Sequence, residues 1–263
     1  MKAKTERLLY QLLWTGEALT RPTFRNLSGS FESWAYRNGL LRRLWELERA
    51  EILESEASPS PDGKMDRVHR LTAAGRLIAL GGRDPIKEWE RAWDGRWRMI
   101  LFDLPESERA ERNTLRRKLR AERFGCLQRS LWISPDPMEA LRQNWQGEIV
   151  DTKTIIFMEG IPCGGENNSD MIAGAWDFAK IDTQYGELVD HLHTLKSLGK
   201  TPSRPRLLKW IETERTLWNQ CLATDPMLPS VLLPPEYQGR IAWDLKMKSA
   251  AQTKQLILSV SDL

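Results

Sequence analysis

The chain has 263 residues, 41% of them hydrophobic and 29% charged, with a mean hydropathy of -0.51. That profile fits a globular chain long enough for more than one core and excludes a fibrous or disordered one. No run approaches the ~18 apolar residues of a spanning helix, and charges at Lys2, Lys4, Glu6 and Arg7 stand where a signal peptide's apolar core would begin, so no membrane association and a cytosolic place are expected. The net charge of +3 conceals a strong redistribution: residues 1–50 net +4, 96–130 net +5 and 131–200 net -6. Only such local patches steer a phosphate backbone. Cys126, Cys163 and Cys221 are odd in number and far apart, and the histidines are His69, His191 and His193 alone. Disulfide frameworks, zinc knuckles and the His-Glu-x-x-His site are thereby excluded, and no cofactor is expected.

In chain order, Leu8, Leu9, Leu12 and Leu13 have the one-face spacing of a first amphipathic helix, which Gly16 breaks. Thr20-Arg21-Pro22 starts a short second helix through Leu27. A third helix runs from Phe31 to Arg49, with Leu40, Leu41, Leu44, Trp45 and Leu47 on a broad inward stripe and Arg37, Asn38, Arg42 and Arg43 largely off it. Two strands are expected over Ile52–Glu56 and Arg67–Leu71, joined at a tip that holds Pro59, Pro61, Asp62, Gly63 and Lys64. Three helices followed by a hairpin make a winged helix-turn-helix. Thr72–Leu80 reads as a further short helix stopped by Gly81 and Gly82, and Trp89, Trp93 and Trp97 recur every fourth residue as on one face of a connecting helix or packed segment.

Trp97–Phe102 is a strand that brings Asp103 to its tip. A helix begins at Ser107 and carries Arg109, Arg112, Arg116, Arg117, Lys118, Arg120 and Arg123; one strand or two span Cys126–Ile133; a helix is expected over Pro137–Gln146 and a strand over Ile149–Phe157. Strands and helices alternating in so short a stretch fit an α/β plait of the ferredoxin-like kind. The loop Gly160–Ser169 leads into a mostly helical remainder from about Met171, with helices over Ile181–Leu198, Arg206–Leu222 and Gly239–Ala251. The expected fold class is therefore α+β, organised as a winged helix-turn-helix over 1–82, a linker over 83–95, the plait over 96–160 and a helical domain over 170–263.

Several short texts, taken together, carry a resemblance: Trp93-Asp-Gly-Arg-Trp97, Leu101-Phe-Asp-Leu-Pro-Glu106, Phe124-Gly125, Leu127-Gln128, Leu131-Trp-Ile-Ser-Pro135, then Gly174-Ala-Trp-Asp177 and Leu228-Pro-Ser-Val-Leu-Leu-Pro-Pro235. In this order the chain resembles the PaaX-type transcriptional repressors of phenylacetate catabolism. The resemblance implies an N-terminal winged helix, a central domain shaped like the CRISPR-associated protein Cas2, and a helical C-terminal domain. It further implies a dimeric repressor of a catabolic operon, no enzyme, released by an aryl- or acyl-CoA thioester.

For operator DNA, a third helix in the major groove would offer Arg37, Asn38 and Arg42, with Arg43 beside them, to base edges. Lys64 and Arg67 of the wing, with Arg21 and Arg25 of the second helix, would hold the phosphate backbone. The basic helix Arg109–Arg123 reads three ways: a second DNA contact, a wall for an anionic ligand, or the solvated side of the plait. Asp103 supports an alternative function, a metal-dependent nuclease of the Cas2-like type, against which one carboxylate per chain is a sparse ligand set. It could instead cap the helix at Ser107 or bind an arginine locally.

Overall fold

The computed structural model describes residues 40–59, 65–138 and 155–261. It divides into two compact units: Met1–Asp84 with Tyr185–Gln220 and Gly239–Leu263, and Pro85–Gln184 with Cys221–Gln238. None of the described helices is long and apolar enough to cross a membrane.

In the first unit, helix α1 (Leu40–Arg49) is followed by a two-stranded antiparallel hairpin, β1 (Leu53–Pro59) and β2 (Met65–Leu71), paired from Leu53 opposite Leu71 to Pro59 opposite Met65. Both strands are longer than the expected ones, because Pro59 still fits at the end of an edge strand, where its missing N–H costs no ladder bond. Helix α2 (Ala73–Ala79) begins where Thr72 predicts it, the Thr72 hydroxyl accepting the Gly75 N–H at 3.0 Å. The remainder of the unit is the second half of helix α6 (Phe178–His193), a 3-10 turn at Thr194–Leu198, most of α7 (Arg204–Thr224), and α8 (Gly239–Ser261). Their core holds Leu188, Leu192, Trp210, Trp218 and Trp243, all buried. The Trp218 indole donates to the Leu80 carbonyl at 3.1 Å and packs on Trp243 at 5.4 Å between ring centroids. His191 stacks on Trp210 at 5.0 Å, while His193 is exposed.

In the second unit, α3 (Pro85–Glu90) precedes β3 (Trp97–Phe102), a 3-10 turn at Glu106–Glu108, α4 (Arg109–Ala121), β4 (Gly125–Gln128), β5 (Leu131–Ser134), β6 (Ile155–Gly160) and α5 (Asn168–Ala175). The four strands are ordered β4-β5-β3-β6 and all neighbours are antiparallel. That is the strand order of a ferredoxin-like plait, so the alternating pattern of the sequence is borne out. One sheet face packs Ile100, Phe102 and Trp132 against Leu115 and Leu119 of α4. The other gathers Trp97, Ile133 and Ile172 with Leu228 and Leu232.

Several expectations are corrected. Trp89, Trp93 and Trp97 do not share a helix, since α3 ends at Glu90; Trp93 stands in the following loop, and its ring lies 5.5 Å from that of Trp97 in β3. The last strand of the plait runs on to Gly160 instead of ending at Phe157. Helix α5 starts at Asn168, fixed by a reciprocal capping box in which the Asn167 and Asp170 side chains each accept the other's backbone N–H. Helix α8 continues to Ser261 because no glycine or proline follows Ala251 to stop it.

At the start of the plait, the buried Arg98 guanidinium forms a fork on Asp94 at 2.7 and 2.5 Å and donates to the Pro135 carbonyl at 3.1 Å. That hydrogen bond holds the Asp94 carboxyl below its ordinary range. Burial, reinforced by the neighbouring Asp225 and Glu236 carboxylates, raises Asp182, against the lowering effect of the Gln238 N–H that it accepts at 2.9 Å.

Helix α5 lies so close to β4 that a Cβ on Gly125 would come within 2.6 Å of the Ala175 Cβ and of the Trp176 ring. Neither the backbone nor a packed indole yields cheaply. Gly125→Ala is expected to lower the unfolding free energy by about 1–3 kcal/mol, the usual cost of overpacking, read from urea denaturation.

Candidate nucleic-acid interface

The end of α1 is shaped by its backbone. Glu51 takes a left-handed conformation (φ 55°), its N–H bonds the Glu48 carbonyl at 3.0 Å, and the Ile52 N–H reaches back to the Leu47 carbonyl at 2.9 Å. This is a Schellman closure on a residue other than glycine, and it turns the chain directly into β1. Thr72 then joins both ends of the hairpin to the helices: its hydroxyl donates to the Glu51 carbonyl at 2.6 Å, and its N–H to the Ile52 carbonyl at 3.1 Å. A Cβ at position 75 would stand 2.1 Å from the Ile52 carbonyl oxygen, so only glycine lets α2 approach this junction.

Leu44 and Leu47 of α1 are buried with Leu53 and Leu71 of the hairpin. Trp45 is not on that stripe; it is 57% exposed, with the Arg49 guanidinium 5.0 Å from the centre of its ring. At about 100° per residue it stands a quarter-turn from Leu44 and further from Leu47, so a stripe drawn through all three was too broad. Arg42 is exposed and pairs with Glu46 one turn on at 3.1 Å. Arg43 is in α1, and Arg67 is in β2 opposite Ala57. Arg21, Arg25, Arg37, Asn38 and Lys64 lie outside the described residues.

One contact here escaped sequence reasoning. His69 Nδ1 lies 2.8 Å from Glu48 Oε1, joining the middle of the hairpin to the last turn of α1. The signal was available: His69 stands two residues before the buried Leu71, on the same side of β2. On the outer side of the hairpin, Arg70 pairs with Glu56 at 3.1 Å.

The basic helix α4 turns Leu115 and Leu119 to the sheet and leaves Arg109 and Arg117 exposed. Part of its charge is used locally. The Arg120 guanidinium lies 5.4 Å from the Trp132 ring centre, and Arg116 donates to the Arg129 carbonyl at 3.0 Å. Asp103 is exposed immediately after β3, and it caps no helix: α4 begins at Arg109 without a side-chain cap, and so does the turn before it. Among the described residues no group of three or more His, Cys, Asp or Glu side chains is placed to hold a metal ion.

None of the curated proteins matches the chain in sequence. Among solved structures it is similar to an uncharacterized protein, Rv0674 from Mycobacterium tuberculosis, at 21% identity over 86% of this chain and 85% of that one, with a TM-score of 0.49. Residues 90–172 match the family model of the PaaX protein central Cas2-like domain, and residues 176–257 match that of the PaaX-like protein C-terminal domain. The two matches are adjacent, come in family order and together cover more than half of the sequence, and the chain belongs to the PaaX-type family of transcriptional regulators.

Proposed function

We propose that the protein is a DNA-binding transcriptional repressor that acts as a dimer on the operator of a catabolic operon and is released by an aryl- or acyl-CoA thioester. The observation that carries this reading is the succession α1–β1–β2–α2, in which a helix with an exposed Arg42 and buried Leu44 and Leu47 is followed at once by a hairpin. A helix of that kind fits the major groove while the hairpin reaches the flanking backbone. The charge of residues 1–50, net +4, favours a polyanion, and the family is one of regulators. Arg37, Asn38, Arg42 and Arg43 read bases; Arg21, Arg25, Lys64 and Arg67 hold phosphates. Twofold operators call for a twofold protein.

Binding to the DNA upstream of its own gene, followed by fluorescence anisotropy, tests this. Arg37→Ala and Arg42→Ala are each expected to weaken binding by about 1–3 kcal/mol, the worth of one good base contact. Unchanged affinity in both variants at several salt concentrations contradicts the assigned helix face. A thermal-shift series of acyl- and aryl-CoA thioesters is expected to raise the melting temperature with the effector class and not with free CoA.

A further inference from the structure

His69 occupies an inward position of the hairpin. Leu71, two residues on, is buried, and the register partner of His69 is Ser55 on β1. The His69 and Glu48 side chains are only 13% and 15% exposed, and 2.8 Å separates Nδ1 from Oε1. The other links at this junction, from Thr72 to the Glu51 and Ile52 carbonyls, hold the base of the hairpin. The His69–Glu48 contact reaches from the interior of a strand to the last turn of α1.

We propose that Glu48 and His69 are positioning residues for duplex binding, bracing the wing against the helix most firmly when His69 is protonated. The inference rests on the DNA-binding reading above. Histidine is the side chain whose charge ordinarily changes between pH 5 and 8, and at 2.8 Å the Glu48 carboxylate attracts an imidazolium more strongly than a neutral imidazole. Other charged groups stand on the same elements. On α1, Glu46 is engaged by Arg42, and Arg49 lies over Trp45. On the hairpin, Arg70 pairs with Glu56, its register partner is Glu54, and Arg67 stands two residues before His69. Glu51 follows α1, and Arg76 on α2 is exposed. The Glu48 carboxylate is in direct contact with the ring.

The test is the affinity of the full chain for a labelled duplex taken from the DNA upstream of its own gene, at fixed salt, between pH 6 and pH 8. The wild type is expected to bind about tenfold more tightly at pH 6, within the usual span of coupling between two elements. Glu48→Gln removes the charge with little change of shape, so it should match the wild type at pH 8 and lose the gain at pH 6; His69→Ala should lose the pH dependence and bind more weakly throughout. A wild type that binds while both variants reproduce its pH profile overturns the brace and leaves the DNA-binding reading intact. A wild type that binds no duplex at either pH overturns both.

Discussion

Lys246→Met is expected to cost about 3–5 kcal/mol of stability, the range for breaking a buried ion pair by removing one partner. Lys246 on α8 and Glu214 on α7 are both fully buried, and the Lys246 ammonium is hydrogen-bonded to Glu214 Oε1. It also lies 5.1 Å from the centre of the Trp218 ring, whose face favours a cation. Methionine fills much of the same volume, so the loss would come from the carboxylate left in a medium that solvates it poorly. The double variant Lys246→Met/Glu214→Leu separates this from a packing defect, because it removes both charges together. Its urea midpoint is expected to return close to that of the wild type; a double variant no more stable than Lys246→Met alone would assign the loss to shape instead.

Asp225→Ala is expected to be nearly as damaging. Asp225 is fully buried; one carboxylate oxygen accepts the Met227 N–H at 2.7 Å and the other accepts the Tyr237 hydroxyl. The loop it organises is unusual, with Met227 in the left-handed region at φ 51°. Arg91 donates to the Met227 carbonyl at 2.5 Å, and Arg123, itself at φ 67°, donates to the carbonyls of Leu222 and Asp225. Each hydrogen bond to a charged group contributes about 1.5–3 kcal/mol, so losing two and stranding a buried N–H and hydroxyl should cost about 3 kcal/mol or more. Asp225→Asn retains one acceptor and should cost less, and Tyr237→Phe less again; thermal melts that rank the three otherwise would show that the carboxylate is not what holds the loop.

These two sites also show what the sequence could convey. The ends of β3 and α2 were legible because an apolar run stops at Asp103-Leu-Pro105 and because Thr72 is a capping residue. The plait was legible from alternation alone. Helix α5 was missed although Asn167 and Asp170 have capping-box spacing, since the glycines and asparagines around them read as loop. The Asp225 loop and the Lys246–Glu214 pair were beyond reach for another reason. Their partners are 12 and 32 residues away, and the period of a helix says which face is buried, not which charge waits there. Of the residues assigned to DNA, Arg42 was placed correctly off the apolar stripe, whereas Trp45 was drawn into it. A tryptophan beside two leucines looks like core until the 100° step is counted.

Sequence preference decides whether the chain is a repressor of this kind. Its affinity for the duplex upstream of its own gene should be compared with that for a shuffled duplex of equal length and composition, at one physiological salt concentration. A specific repressor is expected to prefer the upstream DNA by about 10³-fold or more, with Arg37→Ala narrowing that ratio and leaving the shuffled affinity nearly unchanged. Equal affinity for the two duplexes, or binding to neither, would contradict the proposed role.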